Sequence, residues 1–387
     1  MAQKKDLTTG TSNTTRHRIE FSDSRTLSTV ANGSVDLVVT SPPYPMIEMW
    51  DSLFTALNPD IADSLQRNDG YQAFELMNRE LDTIWEEIER VVKENGFVCI
   101  NIGDATRKIG NQFQLYSNHS RITSKFVSLG FQPLPIVLWK KTTNAPNKFM
   151  GSGMLPAGAY ITLEHEYILV FRKGGKREFT TPDQRSIRNQ SAYFWEERNI
   201  WFSDTWTLKG VKQTTHGESV RERNAAYTFE LPYRLINMYS VKGDTILDPF
   251  LGTGTTTFAA IASERNSIGI EYDKNFSSII SEGLKNLEKK VNGSITRRLE
   301  EHIAFCSKYQ REKGPLKYKN KCFGFPVMTR QEIEIDIKHV TKIDFTEFGN
   351  IIASYKPVSL ESNVKETTAD TVEKREGKKQ RQLPLFD

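Results

Sequence analysis

The sequence predicts an α/β fold, a sheet whose strands are connected by crossover helices. Six short apolar runs have the length and composition of strands, at 34–40, 96–102, 131–139, 160–171, 244–247 and 267–271. Helix-like periodicity separates several of these runs, at 74–93, 122–129, 229–239 and 255–263. Strands that alternate with helices in this way are typical of α/β sheets.

The chain has 387 residues and is 37% hydrophobic, which is enough for one large domain with additions or for two domains. Residues 1–15 and 359–387 are polar or charged and are expected to be flexible. No run approaches the roughly 18 consecutive apolar residues of a membrane helix, and the N-terminus lacks a signal-peptide core. We therefore expect a cytoplasmic protein without a membrane partner.

The cysteine pattern and the charge limit the class of protein further. Cys99, Cys306 and Cys322 have neither metal-site spacing nor the even count of a disulfide framework, so no zinc site is predicted. The formal net charge of +4 is modest. Nucleic-acid binding would therefore have to come from local basic patches.

The segment 244–257 has the pattern of a cofactor-binding loop. An apolar strand leads into a loop with Gly252 and Gly254, and three threonines then begin a helix. Glycines let a ligand approach the backbone, whose N–H groups at the helix start face it. Glu271 ends the next strand, where a carboxylate can hold the ribose hydroxyls of a nucleotide-type cofactor. The threonines replace the third small residue of the dinucleotide motif, which disfavours an NAD enzyme.

Two motifs resemble those of a known family. DPFLGTGTT at 248–256 is similar to the S-adenosylmethionine-binding motif of amino-methylating DNA methyltransferases, and TSPPY at 40–44 resembles their catalytic motif, S/D-P-P-Y. The catalytic motif comes first, as in the beta group of that family. The resemblance covers about residues 19–287 and implies a mostly parallel, seven-stranded, Rossmann-like methyltransferase sheet with helices on both faces.

The resemblance also implies which residues form the site and that S-adenosyl-L-methionine is the cofactor. Asp23 would face the adenine of the cofactor. The catalytic residues would be Ser41, Pro42, Pro43 and Tyr44. The cofactor-binding residues would be Asp23, Phe229, Asp248, Pro249, Phe250, Gly252, Thr253, Gly254, Thr255 and Glu271.

The rigid TSPPY segment suits methylation of an exocyclic amine. Such an amine is a poor nucleophile because its lone pair is delocalised into the ring, and two acceptors on its hydrogens would favour pyramidal nitrogen. The Ser41 hydroxyl and the Pro42 carbonyl can supply them, since Pro43 restricts Pro42 to an extended backbone. Tyr44 would offer a face on which a base flipped out of the duplex stacks.

The target base follows less directly from the sequence. Carbon-5 methylation of cytosine needs a thiolate, typically in a Pro-Cys dipeptide, and none of the three cysteines follows a proline. Ser41 at the first motif position favours cytosine N4 by family tendency, whereas aspartate is usual for adenine N6. A carboxylate can also accept an amine hydrogen bond, so an adenine-N6 enzyme stays the alternative.

The segment 175–224 is the candidate target-recognition insert. Basic residues are interleaved with aromatic ones, a composition that suits phosphate contacts and stacking, although a small aromatic core with solvated Arg and Lys around it would look the same. The insert divides the methyltransferase domain into a catalytic part at 16–174 and a cofactor-binding part at 225–292. A C-terminal extension follows at 293–358, with strand-like alternation at 332–337.

The expected partners are double-stranded DNA and a cognate restriction endonuclease. Gln382 to Phe386 resembles the short peptide by which bacterial proteins bind the polymerase sliding clamp. Two other functions compete with DNA methylation. A non-catalytic DNA-binding protein with this fold would be expected to have lost Ser41, Tyr44 or the glycine pair, and all of these are present. Methylation of RNA or a small molecule is a further alternative, and the basic and aromatic insert disfavours it because an enzyme acting on a small substrate would not need such an insert.

Overall fold

The computed structural model describes residues 13–141, 150–208, 227–345 and 349–359. The strands are β1 (Thr14–Phe21), β2 (Val35–Thr40), β3 (Val92–Ile102), β4 (Ala105–Ile109), β5 (Gln112–Tyr116), β6 (Phe131–Lys141), β7 (Met150–Gly151), β8 (Ala159–Tyr160), β9 (His165–Lys173), β10 (Thr205–Leu208), β11 (Thr245–Asp248), β12 (Asn266–Glu271), β13 (Tyr318–Lys319), β14 (Pro326–Val327), β15 (Lys338–Phe345) and β16 (Asn350–Pro357). The α-helices are α1 (Asp51–Leu57), α2 (Asp60–Gln66), α3 (Gly70–Val91), α4 (Asn118–Ser128), α5 (Pro182–Gln190), α6 (Trp195–Trp201), α7 (Glu230–Tyr239), α8 (Thr255–Ala262), α9 (Phe276–Lys285) and α10 (Leu287–Lys313). None of these helices has the length and apolar character needed to span a membrane.

Ten strands form one sheet in the order β10-β6-β9-β3-β2-β11-β12-β1-β16-β15. From β10 to β1 all strands run in the same direction except β9, which is antiparallel to both of its neighbours. The strands from β6 to β1 form the expected mostly parallel sheet, so the fold class is confirmed. The sheet is wider than the expected seven strands because β10 extends one side and the hairpin β15–β16 extends the other.

Helices cover both faces of the sheet. All six residues of β2 are buried, as expected for a central parallel strand that has no solvent-facing side. Leu37 packs in a core formed with α7, α8 and α10, and Val38 packs in a second core formed with α3 and α4. In α3, Met77, Leu81 and Trp85 recur at four-residue spacing, so one face of this helix is buried against the sheet.

The strand and helix bounds differ from the sequence-based prediction in a few places. The run 160–171 is not one strand, because Tyr160 pairs with Met150 in a separate hairpin and β9 begins only at His165. The alternation at 332–337 does not form a strand. There the Glu332 carboxylate folds back to accept the Thr329 N–H at 2.6 Å and ends a 3-10 turn. Thr14 and Thr15, in the segment expected to be flexible, already belong to β1.

Two edges of the sheet matter for function. The parallel strands β2, β3, β11 and β12 all end at one edge, called the carboxyl edge, and the antiparallel β9 begins there. The opposite edge, where β2 and β11 begin, is called the amino edge. The helix α5 lies at the amino edge: just before it, Arg177 pairs with Asp244 at 2.6 Å, and just after it the Ser191 hydroxyl accepts the Lys242 N–H at 2.9 Å.

We expect buried His17 in β1 to make the fold sensitive to acid. Burial lowers the pKa of His17 from 6.5 to about 3, and its ring nitrogens contact the Thr15 and Ser267 hydroxyls. The unfolded chain takes up the proton first, so this contribution to stability is complete above pH 6.5 and is lost as the pH falls. Between pH 6.5 and 5 the free energy of unfolding should fall by about 2 kcal/mol through this group.

Urea unfolding of the wild type and of His17→Gln across this pH range measures that contribution. We compare the slope of the free energy of unfolding against pH. The absolute free energy is not compared, because the substitution also changes packing. The variant should have a flatter slope. Equal slopes would contradict the assignment.

Candidate active site

A cavity at the carboxyl edge brings the two sequence motifs together. Ser41 and Pro43 from the loop after β2 line it, opposite Gly252 from the loop after β11. Of the residues predicted from sequence, those that line the cavity are Asp23, Ser41, Pro43, Pro249, Phe250, Gly252, Thr253, Thr255 and Glu271. The remaining predicted residues, which do not line it, are Pro42, Tyr44, Phe229, Asp248 and Gly254.

The glycine loop has the backbone that its sequence demands. Gly252 has φ +57° and Gly254 has φ +88°, in the left-handed region that side chains disfavour. Gly254 directly precedes α8. A Cβ on Gly254 would approach the Phe258 ring at 3.2 Å, whereas one on Gly252 would come no closer than 4.0 Å to other protein atoms. Gly252 is therefore the position at which the backbone is open toward the cavity.

Glu271 ends β12 beside this loop. Its two carboxylate oxygens accept the backbone N–H groups of Gly252 at 2.7 Å and Asp273 at 2.8 Å. Burial raises the pKa of Glu271, and these two hydrogen bonds oppose the rise. Each oxygen keeps a further lone pair, so the carboxylate remains able to accept hydroxyl groups from a ligand in the cavity.

Asp248 connects the cofactor loop to the catalytic loop. It is 2% exposed, and its carboxylate accepts hydrogen bonds from Thr40 (2.6 Å), Tyr227 (3.1 Å), Phe250 N–H (3.1 Å) and Thr256 (2.6 Å). Burial raises the pKa of Asp248 above its ordinary value. The hydrogen bonds to the carboxylate, of which the one from Thr256 has the largest effect, offset only part of this rise. The Asp248 carboxylate thus joins the two loops and does not line the cavity, and its predicted contact with the cofactor stays a prediction.

Asp23 lines the cavity as part of an ion-paired group. Arg25 pairs with Asp23 at 2.8 Å and with Glu80 at 3.0 Å. Burial raises the pKa of Asp23, but the hydrogen bonds and charge of Arg25 outweigh it and hold the pKa below its usual range. Asp23 is therefore available as an ionised acceptor at the wall of the cavity. Arg25 and Glu80 were not identified from the sequence.

The catalytic motif is supported by polar side chains from neighbouring strands. The Tyr44 hydroxyl contacts the Ser41 hydroxyl at 3.2 Å and donates to a Glu166 carboxylate oxygen at 3.0 Å. Asn101, at the end of β3, donates to the Tyr44 hydroxyl at 2.8 Å and to Glu166 at 2.7 Å. The Lys141 ammonium contacts the other Glu166 oxygen. These four side chains form one hydrogen-bonded group around the Ser41 hydroxyl.

Several of these partners were missed by the sequence-based prediction. Asn101 and Glu166 are polar residues at the ends of otherwise apolar strands, and that position was the available signal. Tyr227 does not belong to either of the two sequence motifs. Gly103 allows Tyr44 to pack closely, since a Cβ there would lie 3.0 Å from the ring. Phe229 does not line the cavity and stacks on Tyr233 with ring centroids 5.5 Å apart, so its contact with the cofactor stays a prediction.

One cluster has the residue types of a metal site. Among the described residues, Glu196, His302 and Glu332 place one ligand atom each within 4.8 Å of one another. Each of these side chains also makes hydrogen bonds within the described protein, while the second Glu196 oxygen is buried without one. His302 contacts Glu196 at 2.7 Å and the Pro326 carbonyl at 3.1 Å, and the Glu332 oxygens accept backbone N–H groups. The cluster joins α6 of the insert to α10.

The sheet and the cavity at its carboxyl edge define the class of protein as an S-adenosylmethionine-dependent methyltransferase. The structure is similar to that of TTHA0409 from Thermus thermophilus, a DNA modification methylase crystallised with S-adenosyl-L-methionine. The TM-score is 0.53 at 28% sequence identity, and the match covers 70% of this chain and 94% of that one. The residues fit this cofactor. Glu271 and Asp23 are acceptors for hydroxyl and amino groups, Phe250 supplies an apolar wall, and Gly252 leaves the loop open.

Sequence comparisons identify the family more closely. The DNA methylase family N6_N4_Mtase matches residues 35–282. The type II methyltransferase M.MthZI of Methanothermobacter thermautotrophicus is 53% identical over 323 residues, which are 83% of this chain and 90% of the relative. M.MjaI of Methanocaldococcus jannaschii, another type II methyltransferase, is 49% identical over 289 residues, 72% of this chain and 94% of the relative. The chain belongs to the N6/N4 DNA methylase family.

Proposed function

We propose that this DNA methyltransferase transfers a methyl group to the N4 amine of cytosine in duplex DNA. The observation that carries the proposal is that Ser41 and Pro43 line the same cavity as Gly252 and Glu271. The motif that would hold the target amine and the loop that would hold the cofactor therefore face one space. When bound, S-adenosyl-L-methionine supplies an electrophilic methyl group there.

The chain supplies the acceptors for the target amine. Ser41 lines the cavity, and its hydroxyl oxygen and the Pro42 carbonyl can each accept one amine hydrogen. When both amine hydrogens are donated to these acceptors, the amine nitrogen is favoured in the pyramidal geometry in which it can attack an electrophile. No covalent intermediate with the protein is needed. Burial raises the pKa of the Cys99 thiol, so that group remains a thiol.

Base flipping remains part of the proposal, with one refinement for Tyr44. This residue is only 9% exposed, so its ring presents little free surface in this conformation. A flipped base can stack on it only after the ring or the neighbouring loop moves. Trp50, which also lines the cavity, is a second aromatic side chain within the site.

We infer that duplex DNA binds at the carboxyl edge. The hairpin β7–β8 lies there, because it connects β6 to the start of β9, and Met154 and Leu155 at its tip are 82% and 70% exposed. Apolar side chains of this kind can fill the space that an extruded base leaves. Arg177 of the candidate recognition insert is ion-paired at the amino edge, so we do not assign DNA contact to α5. Lys209, Lys212, Arg221 and Arg223 of the insert lie outside the described residues.

The cytosine assignment is tested by identifying the methylated nucleoside. The protein is incubated with isotopically labelled S-adenosyl-L-methionine and, in separate reactions, mixed-sequence duplex DNA or RNA, and the digested nucleosides are analysed by mass spectrometry. We expect label on N4 of cytosine. Label on N6 of adenine would support the alternative within the same family, and unlabelled DNA alongside labelled RNA would overturn the substrate class.

The biological setting is inferred from the relatives. Two of them are named type II methyltransferases, and we propose that this enzyme likewise protects DNA against a cognate restriction endonuclease in the cytoplasm. The sliding-clamp peptide at Gln382 to Phe386 lies outside the described residues and stays a prediction.

A further inference from the structure

The hydrogen-bonded group around Ser41 has a direction, and Glu166 sets it. A carboxylate only accepts hydrogen bonds, whereas a hydroxyl can donate or accept. Tyr44 has one hydroxyl hydrogen, which it donates in a hydrogen bond to the Glu166 oxygen at 3.0 Å. The Tyr44 oxygen is then an acceptor toward its remaining neighbours, which are Asn101 at 2.8 Å and Ser41 at 3.2 Å.

This direction determines how Ser41 faces the cavity. Because the Tyr44 hydrogen is committed to Glu166, the hydrogen bond between Ser41 and Tyr44 must be donated by Ser41. The Ser41 hydrogen then points toward Tyr44, away from an incoming base. One lone pair of the Ser41 oxygen faces a long contact from the Asn101 amide at 3.4 Å, and the other remains free for the target amine. In the reverse arrangement Tyr44 would donate to Ser41, and the Ser41 hydrogen would point into the cavity against the amine hydrogens.

The amide of Asn101 is held in the same way. Its nitrogen lies 2.7 Å from Glu166 and 2.8 Å from the Tyr44 hydroxyl. The opposite amide orientation would place its oxygen against the carboxylate, which is repulsive. The observed orientation leaves the Asn101 carbonyl oxygen buried without a hydrogen bond. An unsatisfied buried acceptor is unfavourable, whereas the contacts of the amide nitrogen to Glu166 and Tyr44 favour this orientation.

We propose that Glu166 is a positioning residue for methyl transfer, which acts through Tyr44 to keep the Ser41 oxygen an acceptor for the target amine. The proposal rests on the proposed function of Ser41. Lys141 completes the arrangement, because its ammonium contacts the Glu166 oxygen that Tyr44 does not use. Glu166 itself does not need to touch the base.

Glu166→Gln is the informative change because it keeps the shape of the side chain but replaces a carboxylate oxygen, which only accepts hydrogen bonds, with an NH2 group, which donates them. Lys141 would attract the amide oxygen of the glutamine, which turns its NH2 group toward Tyr44 and Asn101. The Tyr44 hydrogen would then rotate toward Ser41. We expect kcat to fall by about 30-fold, which corresponds to the loss of one hydrogen bond to a charged group. Cofactor affinity, measured by calorimetry, should stay within about 3-fold.

A double-mutant cycle with Tyr44 separates the positioning role of Glu166 from a general disturbance of the structure. Tyr44→Phe removes the hydroxyl that relays the effect, so Glu166→Gln should cost less than about 3-fold in that background. Glu164→Gln is the matched control, since Glu164 stands two residues earlier and makes a looser, half-exposed pair with Lys140 at 3.6 Å. Multiplicative losses in the double variant, or equal losses in Glu166→Gln and Glu164→Gln, would overturn the proposal.

A second measurement does not depend on activity. Burial, and next the charge of Glu166, raise the pKa of Tyr44. In protein labelled with carbon-13 at the tyrosine ring carbon that bears the hydroxyl, the Tyr44 signal should shift in Glu166→Gln and not in Glu164→Gln. An unshifted signal would overturn the contact itself. If the Tyr44 signal shifts in Glu166→Gln as expected but the wild type methylates no DNA, the proposed function is overturned and the contact stands.

Discussion

Gly252→Val should weaken S-adenosyl-L-methionine binding by at least about 100-fold. Gly252 has φ +57°, and a β-branched side chain in that region costs roughly 1–3 kcal/mol, which destabilises the loop conformation to which the cofactor binds. The valine side chain would also enter the cavity, because Gly252 lines it. The dissociation constant can be measured by calorimetric titration of each variant with the cofactor.

Gly243→Val is the control for backbone strain. Gly243 has φ +81°, lies in the turn before β11, and has no atom within 4 Å of an added Cβ. It is at the amino edge and does not line the cavity. This variant should lose stability while its folded fraction binds the cofactor normally. Equal loss of affinity in both variants would show that strain alone, without the cavity, explains the effect.

Ser41→Ala should lower kcat by about 100- to 1,000-fold, the range found when one preorganised hydrogen-bonding group at a reacting centre is removed. The change deletes the acceptor that faces the target amine but leaves Pro42, Pro43 and the cofactor loop unchanged. Cofactor affinity should therefore stay the same. Single-turnover methyl transfer at saturating cofactor and DNA separates this effect from weaker DNA binding.

The control for Ser41 is at the other end of the same strand. Ser34 precedes β2, and its hydroxyl donates to the Ala31 carbonyl at 2.7 Å on the surface. Ser34→Ala should keep full single-turnover activity. If Ser41→Ala loses cofactor affinity and kcat in parallel, Ser41 acts through the cofactor site and the proposed role in holding the amine is wrong.

The local parts of the site could be predicted from sequence because they are contiguous. The glycine loop and TSPPY each combine a strand end, a loop and the reactive groups within a short segment, so a short pattern identifies them. Asn101 and Glu166 come from separate strands that meet only when the sheet forms. Their role depends on the antiparallel β9, in which Ile168 is paired with Asn101 of β3, and no local pattern encodes that pairing.

Basic and aromatic residues of the insert 175–224 make contacts within the protein that the composition of the segment does not predict. Its basic and aromatic residues predicted a DNA-reading segment, yet Arg177 is engaged with Asp244, and Trp206 is buried with its indole N–H donating to the Trp201 carbonyl at 3.0 Å. The described part of this segment therefore contains the small aromatic core that was the alternative interpretation. The ion pair between Arg177 and Asp244 holds the part of the segment before α5 at the amino edge, and the sequence of the segment does not reveal this pair.

The shared carboxylate of Asp248 has a thermodynamic consequence. Thr40, next to Ser41, and Thr256, in the first turn after the glycine loop, donate hydrogen bonds to the same side chain. A ligand that orders one loop thereby reduces the entropy that the other must lose. Cofactor and target base should therefore bind with positive cooperativity, and linkage requires that each raise the affinity of the other by the same factor.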